Sequence, residues 1–166
     1  MRLLPALGLL LALCGVAHAD DDPELIFKKS TVFRLLSPDA KLAVYAIDDP
    51  LIDNVSCHFT LPEVGGWKGW AGFAEERSEV SLTCHQTGPI KIKGKFPQGA
   101  EAFRERRSLF FKKVQIVRGC DAKRNVLVYL MYSDRVIEGS PQNSTSAVPI
   151  MPWGSEPGPR CGDFLE

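Results

Sequence analysis

Two dipeptides, Cys57-His58 and Cys84-His85, carry the most versatile side chains of this 166-residue chain. Taken as four soft ligands they make a zinc inventory. Strand geometry argues against it, because adjacent residues on a strand point to opposite faces and the Cys and His of one pair cannot easily share an ion. The same alternation lets both cysteines turn into a core while both histidines face outward, so neither a metal nor another cofactor is expected. Ser140, in Glu138-Gly139-Ser140-Pro141, lacks the second glycine and the following helix that a nucleophile elbow requires. Paired acids occur at Asp48-Asp49 and Glu75-Glu76, but such pairs are usually solvated turn residues. Hydrolysis of a sugar needs two acids converging from different elements. No catalytic residue is assigned.

The segment Gly65-Gly66-Trp67-Lys68-Gly69-Trp70-Ala71-Gly72 has no Gly-Lys-Ser/Thr ending, so it is not a phosphate loop. Two aromatic faces and an ammonium on a glycine-rich loop suit stacking on a ligand and neutralising it. Trp67, Lys68 and Trp70 are therefore the candidate binding residues. The competing reading tucks both rings under the loop to seal a sheet edge. Charge is segregated along the chain: residues 104–124 carry eight basic and two acidic side chains, residues 20–53 eight acidic and four basic. Either the surface is dipolar and meets an anionic component, or the two halves neutralise each other within one fold. Lysines and arginines equal aspartates and glutamates at 20 each, a balance unlike the basic surplus of a nucleic-acid-binding domain.

The elements that would position these groups read as strands. Thr31 to Leu36 and Lys41 to Ile47 flank Ser37-Pro38-Asp39-Ala40, whose Pro-Asp centre favours a type I turn and hence a hairpin. From Val55 to Leu61, residues Val55, Cys57 and Phe59 share one face; from Glu79 to Gln86, so do Val80, Leu82 and Cys84. An extended run from Ala102 to Arg118 leads to the turn Asp121 to Asn125. Val126 to Tyr132 then returns, apolar on both faces as a central strand would be. From Gly139 onward, 28 residues hold five of the twelve prolines, which predicts irregular wrapping structure. The expected fold is mainly β: a single-domain antiparallel sandwich or partly closed barrel, with at most one short helix, near Gly72 to Arg77, and an irregular proline-rich tail.

Residues 1–19 combine a charged start, Met1-Arg2, an apolar run from Leu3 to Val16, and Ala17-His18-Ala19, the three parts of a cleavable secretory signal. The run is interrupted by Pro5, Gly8 and Gly15 and is shorter than the roughly 20 residues a spanning helix needs. Leu13 stands before Cys14, where lipoprotein processing wants a small residue. The expected mature protein is exported, has no membrane span and is a monomer. Four cysteines survive cleavage, Cys57, Cys84, Cys120 and Cys161; an even number in an oxidising compartment favours disulfides. Three connectivities are open.

Several blocks together resemble the CreA family. They are Asp48-Asp49-Pro50; Asn54-Val55-Ser56-Cys57; Gly65-Gly66-Trp67-Lys68-Gly69, running on to Ala74-Glu75; Ser81-Leu82-Thr83-Cys84; and Gln86-Thr87-Gly88-Pro89-Ile90. Further along come Arg107 to Lys112, Asp121-Ala122-Lys123-Arg124-Asn125, Tyr132-Ser133-Asp134, Glu138-Gly139-Ser140-Pro141 and Ser146 to Trp153. The resemblance spans about residues 31–153, in order. It implies export in a Gram-negative cell and a cysteine pair at Cys57 and Cys84, and it carries over no catalytic residue. With that pair assigned, Cys120 and Cys161 remain for a second bridge, which departs from the family pattern together with the tail after Trp153. The organisation expected is a signal peptide at 1–19, a CreA-like β domain at 20–153 and a C-terminal tail at 154–166. The function expected is a non-enzymatic periplasmic accessory or binding module, its partner an unknown envelope component or small molecule and not nucleic acid. The alternatives are a hydrolase on a cell-wall or sugar substrate, using carboxylates such as Asp49 and Glu75, and a purely structural envelope protein.

Overall fold

Alternation of buried and exposed residues generates every long strand after the first. In the computed structural model, which describes residues 23–32, 40–64, 80–103, 114–133 and 142–166, strands β1 (Glu24–Val32), β2 (Ala40–Asp48), β3 (Ile52–Val64) and β4 (Ser81–Ile92) form one antiparallel sheet in chain order. Strands β5 (Ala100–Glu101), β6 (Val114–Asp121), β7 (Val126–Ser133) and β8 (Asn143–Pro149) form a second, also in order. Among the described residues the only helix is the 3-10 turn Cys161–Phe164. The fold is mainly β: among the described residues, two antiparallel four-stranded sheets that do not close into a barrel.

The inner faces follow from period two. Ala43, Tyr45 and Ile47 of β2 are buried, as are Val55, Cys57, Phe59 and Leu61 of β3, Leu82, Cys84, Ile90 and Ile92 of β4, and Leu127, Tyr129 and Met131 of β7. Tyr45 and Phe59 oppose each other and stack with ring centroids 5.6 Å apart. The first hairpin pairs β1 with β2, but β1 starts at Glu24, earlier than its sequence suggests, and its residues 24–30 are exposed. The Ser37 to Asp39 part of the expected turn and the expected helix near Gly72 to Arg77 lie outside the described residues.

Besides β1, the C-terminal region departs from expectation. Residues 143–149 form β8 rather than irregular structure. Their polar residues meet a specific need, because β4 is an edge strand with backbone N–H groups facing its neighbour. The Leu82 and Cys84 amides donate to the hydroxyls of Ser144 and Ser146 at 3.1 and 2.8 Å. Two residues beyond Cys84, the Gln86 side chain accepts from Met151 N at 2.9 Å and donates to Met151 O at 3.0 Å. Side chains thus join the two sheets where a backbone ladder is missing.

The segment after β8 is tied down at three points. Cys161 bridges to Cys120 of β6. Phe96 N donates to Phe164 O, and Glu166 N returns a bond to Phe96 O. Asn125, in the left-handed region at φ 55°, accepts from Cys161 N at 2.8 Å and donates to Pro159 O at 3.0 Å. Asn125→Gly should relieve the backbone while losing both bonds, and Asn125→Ala should lose both and keep the strain. Urea titration is expected to rank the native protein above Asn125→Gly and Asn125→Gly above Asn125→Ala, with the last about 1–3 kcal/mol below native. Equal stability of all three would show that the side chain does not hold the tail.

Candidate functional site

The β2–β3 connection is a tight turn made by Asp48-Asp49-Pro50-Leu51, and its two acids separate sharply. Asp48 is exposed, whereas Asp49 is 3% exposed. The carboxylate of Asp49 folds back on its own turn: Oδ1 accepts from the amides of Leu51 at 2.8 Å and Ile52 at 3.2 Å. Arg118 Nη1 lies 3.1 Å from the same oxygen, and Tyr129 donates its hydroxyl to Oδ2 at 2.7 Å. Three residues separated by up to 80 positions therefore meet in the core.

Arg118, counted in the basic run of residues 104–124, pairs with Asp49 of the acidic run 20–53, the internal neutralisation that is one of the two readings of that charge segregation. It is 3% exposed, because it takes the inward phase of β6 between Ile116 and Cys120. Its Nη2 donates to Ala102 O at 2.8 Å and reaches Glu101 O at 3.3 Å, and its guanidinium carbon sits 5.9 Å from the centre of the Phe96 ring. Among the described residues, its Nε has no hydrogen-bond acceptor and Nη1 makes the ion contact alone. Burial pushes the Asp49 carboxyl up, against the downward pull of Arg118, Tyr129 and the two amides. Burial, and then the Asp49 carboxylate beside it, hold the Tyr129 phenol far above its usual range. The hydroxyl stays a donor.

Over this network opens a shallow polar cleft of about 370 Å³ lined by Asp48, Asp49, Asp53, Asn54, Thr87 and Lys91. Asn54, at φ 63°, stands at the β3 bulge between Asp53 and Val55 and donates to Pro89 O at 2.6 Å. A Cβ at Gly88 would lie 2.9 Å from the Asn54 side chain and would push it from its place beside Pro89 O. At the far edge Lys93 pairs with Asp53 at 2.7 Å. Asp49 lines the cleft, but three hydrogen bonds and the Arg118 ion contact tie its carboxylate to the fold.

The cysteines form two disulfides, Cys57–Cys84 and Cys120–Cys161. Cys57 stands directly opposite Cys84 on adjacent strands, and both side chains are buried while His58 and His85 are exposed. Among the described residues no three His, Cys, Asp or Glu side chains gather as a metal cluster. Trp67, Lys68, Trp70, Glu75 and Ser140 lie outside the described residues. The signal that could have exposed the buried network is the phase of Arg118, a charge in register with Val114, Ile116 and Cys120.

Two antiparallel sheets, a disulfide across the first, and a second disulfide tying the tail to the other around a buried Asp–Arg–Tyr network define a disulfide-linked, mainly β protein. Among the described residues, no helix is long and apolar enough to cross a membrane. The chain belongs to the CreA family, whose model, described as CreA protein, matches residues 26–153. It is similar to Protein CreA of Escherichia coli strain K12, with 47% identity over 148 residues, covering 87% of this chain and 92% of the relative. The same figures hold for Protein CreA of Escherichia coli O6:H1 strain CFT073 and of Escherichia coli O157:H7. No solved structure matches the chain significantly.

Proposed function

We propose that the chain is exported through the leader at 1–19 and works in the periplasm as a monomeric, non-enzymatic accessory or binding module. The domain would run from 20 to 153, with the tail at 154–166 pinned to it. The observation that carries the non-enzymatic reading is the anchoring of Asp49: the acid best placed in the described cleft is held by two backbone amides, the Tyr129 hydroxyl and the Arg118 ion contact, and so is committed to holding the fold. The two disulfides support an oxidising compartment. Contact with a partner then falls to Trp67, Lys68 and Trp70, where aromatic rings supply most binding energy when inserted into a partner and the lysine favours an anionic one. The partner is an envelope component or a small molecule, not nucleic acid.

Native mass spectrometry of protein purified from its own periplasm would weigh any bound molecule directly. The loop has its own test. Trp67→Ala combined with Trp70→Ala should abolish complementation of a deletion strain while shifting the melting temperature by only a few degrees. If the rings are core, the change should cost roughly 3–5 kcal/mol per ring and the protein should fail to accumulate. A stable, fully complementing variant would rule out this loop as the contact.

A further inference from the structure

His58 and His85 take no part in the buried network or the cleft. Both are exposed on the outward face of the first sheet, with ring centroids 6.0 Å apart and planes tilted by 54°. The register explains the approach: His58 opposes Thr83 and His85 opposes Ser56, so the two are diagonal neighbours across one rung. On the inner side of that rung Cys57 opposes Cys84, and their disulfide closes it. Ladder hydrogen bonds and a covalent link thus hold the backbone beneath both rings. Only the side-chain torsions remain to be ordered, which lowers the cost of capturing a ligand between them.

A metal–imidazole bond of about 2.0–2.1 Å puts the ion about 3.2 Å from the ring centre. Two rings on one ion then have centroids about 4.5 Å apart when the bonds meet at a right angle and about 6.4 Å when they are opposed. The observed separation of 6.0 Å falls inside that interval, as sharing one ion through a nitrogen of each ring requires. On this face Ala46, Ser56, Thr60 and Thr83 flank the rings and are uncharged, and Asp48 stands opposite Ser56, diagonal to His58. With two imidazoles, no thiolate and no third acidic or imidazole ligand among the described residues, the donor set suits copper(II) ahead of nickel(II) and zinc(II).

We propose that His58 and His85 form a two-histidine surface site for a divalent late transition metal, with copper(II) bound most tightly. This is not the four-ligand zinc site weighed from the sequence, because both cysteines are committed to the disulfide on the opposite face.

The test uses tag-free, oxidised protein titrated with copper(II) chloride in a non-coordinating buffer, followed by calorimetry and visible absorption. The expected result is one equivalent bound, in the order copper above nickel and zinc, with His58→Ala and His85→Ala each weakening affinity by at least about tenfold. Both positions are exposed, so each variant should melt within a few degrees of native. In a proton NMR titration the ring signals of His58 and His85 should broaden before all others at substoichiometric copper. Absence of stoichiometric binding, an isotherm unchanged by either substitution, or first broadening at the Asp48–Asp53 cleft would overturn the proposal.

Discussion

Asp49→Ala should destabilise the protein by about 3–5 kcal/mol, the cost of stranding one member of a buried ion pair. For a chain of this size that corresponds to a fall of roughly 6–20 °C in melting temperature. The damage is spread over four groups: the amides of Leu51 and Ile52 and the Tyr129 hydroxyl lose their acceptor while the Arg118 guanidinium loses its counter-ion. Asp49→Asn keeps an oxygen for the amides and should lose less. Arg118→Met keeps an apolar stem against Phe96 and leaves Asp49 its two amides and Tyr129. The double change Asp49→Asn with Arg118→Met should cost less than the sum of the singles, because the two groups share one network and coupling of about 0.5–3 kcal/mol is expected for such neighbours. Chemical denaturation of the four proteins checks this. A loss below about 1 kcal/mol for Asp49→Ala would mean that the network is a bystander to stability.

The same residues show what was legible in the sequence and what was not. Val55, Cys57 and Phe59, and Leu82 and Cys84, alternate cleanly with polar neighbours, so β3 and β4 and their inward faces could be read locally. β7 was readable as a central strand because Leu127, Tyr129 and Met131 are buried while the intervening residues are half-buried and apolar. β8 was not, because Asn143-Ser144-Thr145-Ser146 has the composition of a loop. Its serines are explained only by the β4 amides they satisfy, and those lie 62 positions away in sequence. β1 escaped for a related reason: Lys28, Lys29 and Ser30 are all exposed, so its residues carry no inward face to reveal the strand.

The buried network was hidden by distance and by charge. Asp49 follows Asp48 and precedes proline, a context that reads as a solvated turn, yet the fold delivers Tyr129 and Arg118 to it from the second sheet. A charge in an apolar phase was visible at Arg118, but only pairing of β6 with β7 fixes which phase faces inward. Register likewise decides the histidines. A slip of one residue between β3 and β4 would send His58 and His85 to opposite sides or out of reach, so their approach belongs to tertiary structure and not to the two Cys-His dipeptides.

Replacing Cys57 with Cys84, or Cys120 with Cys161, by serine pairs should cost about 3–4 kcal/mol for each bridge, from the loop-closure entropy returned to the unfolded chain. The separations of 27 and 41 residues differ too little to distinguish the two by size of effect, since closure entropy grows only with the logarithm of length. They should differ in kind. Cys57 and Cys84 sit in the middle of a long ladder, so losing their bond should lower the global unfolding free energy and leave the native hydrogen-exchange pattern intact. Cys161 is fastened to the sheet by its disulfide and by Asn125, so the Cys120→Ser/Cys161→Ser protein should release its tail locally. The amide of Phe96, which donates to Phe164 O, and that of Glu166, which donates to Phe96 O, should then exchange fast while the β3 and β4 amides stay protected. Removing both bridges withdraws about 6–8 kcal/mol from a fold whose total stability is of order 5–15 kcal/mol, so that protein should be largely unfolded at 37 °C. Unchanged protection at Phe96 after loss of Cys120–Cys161 would show that the backbone bonds and Asn125 hold the tail without the disulfide.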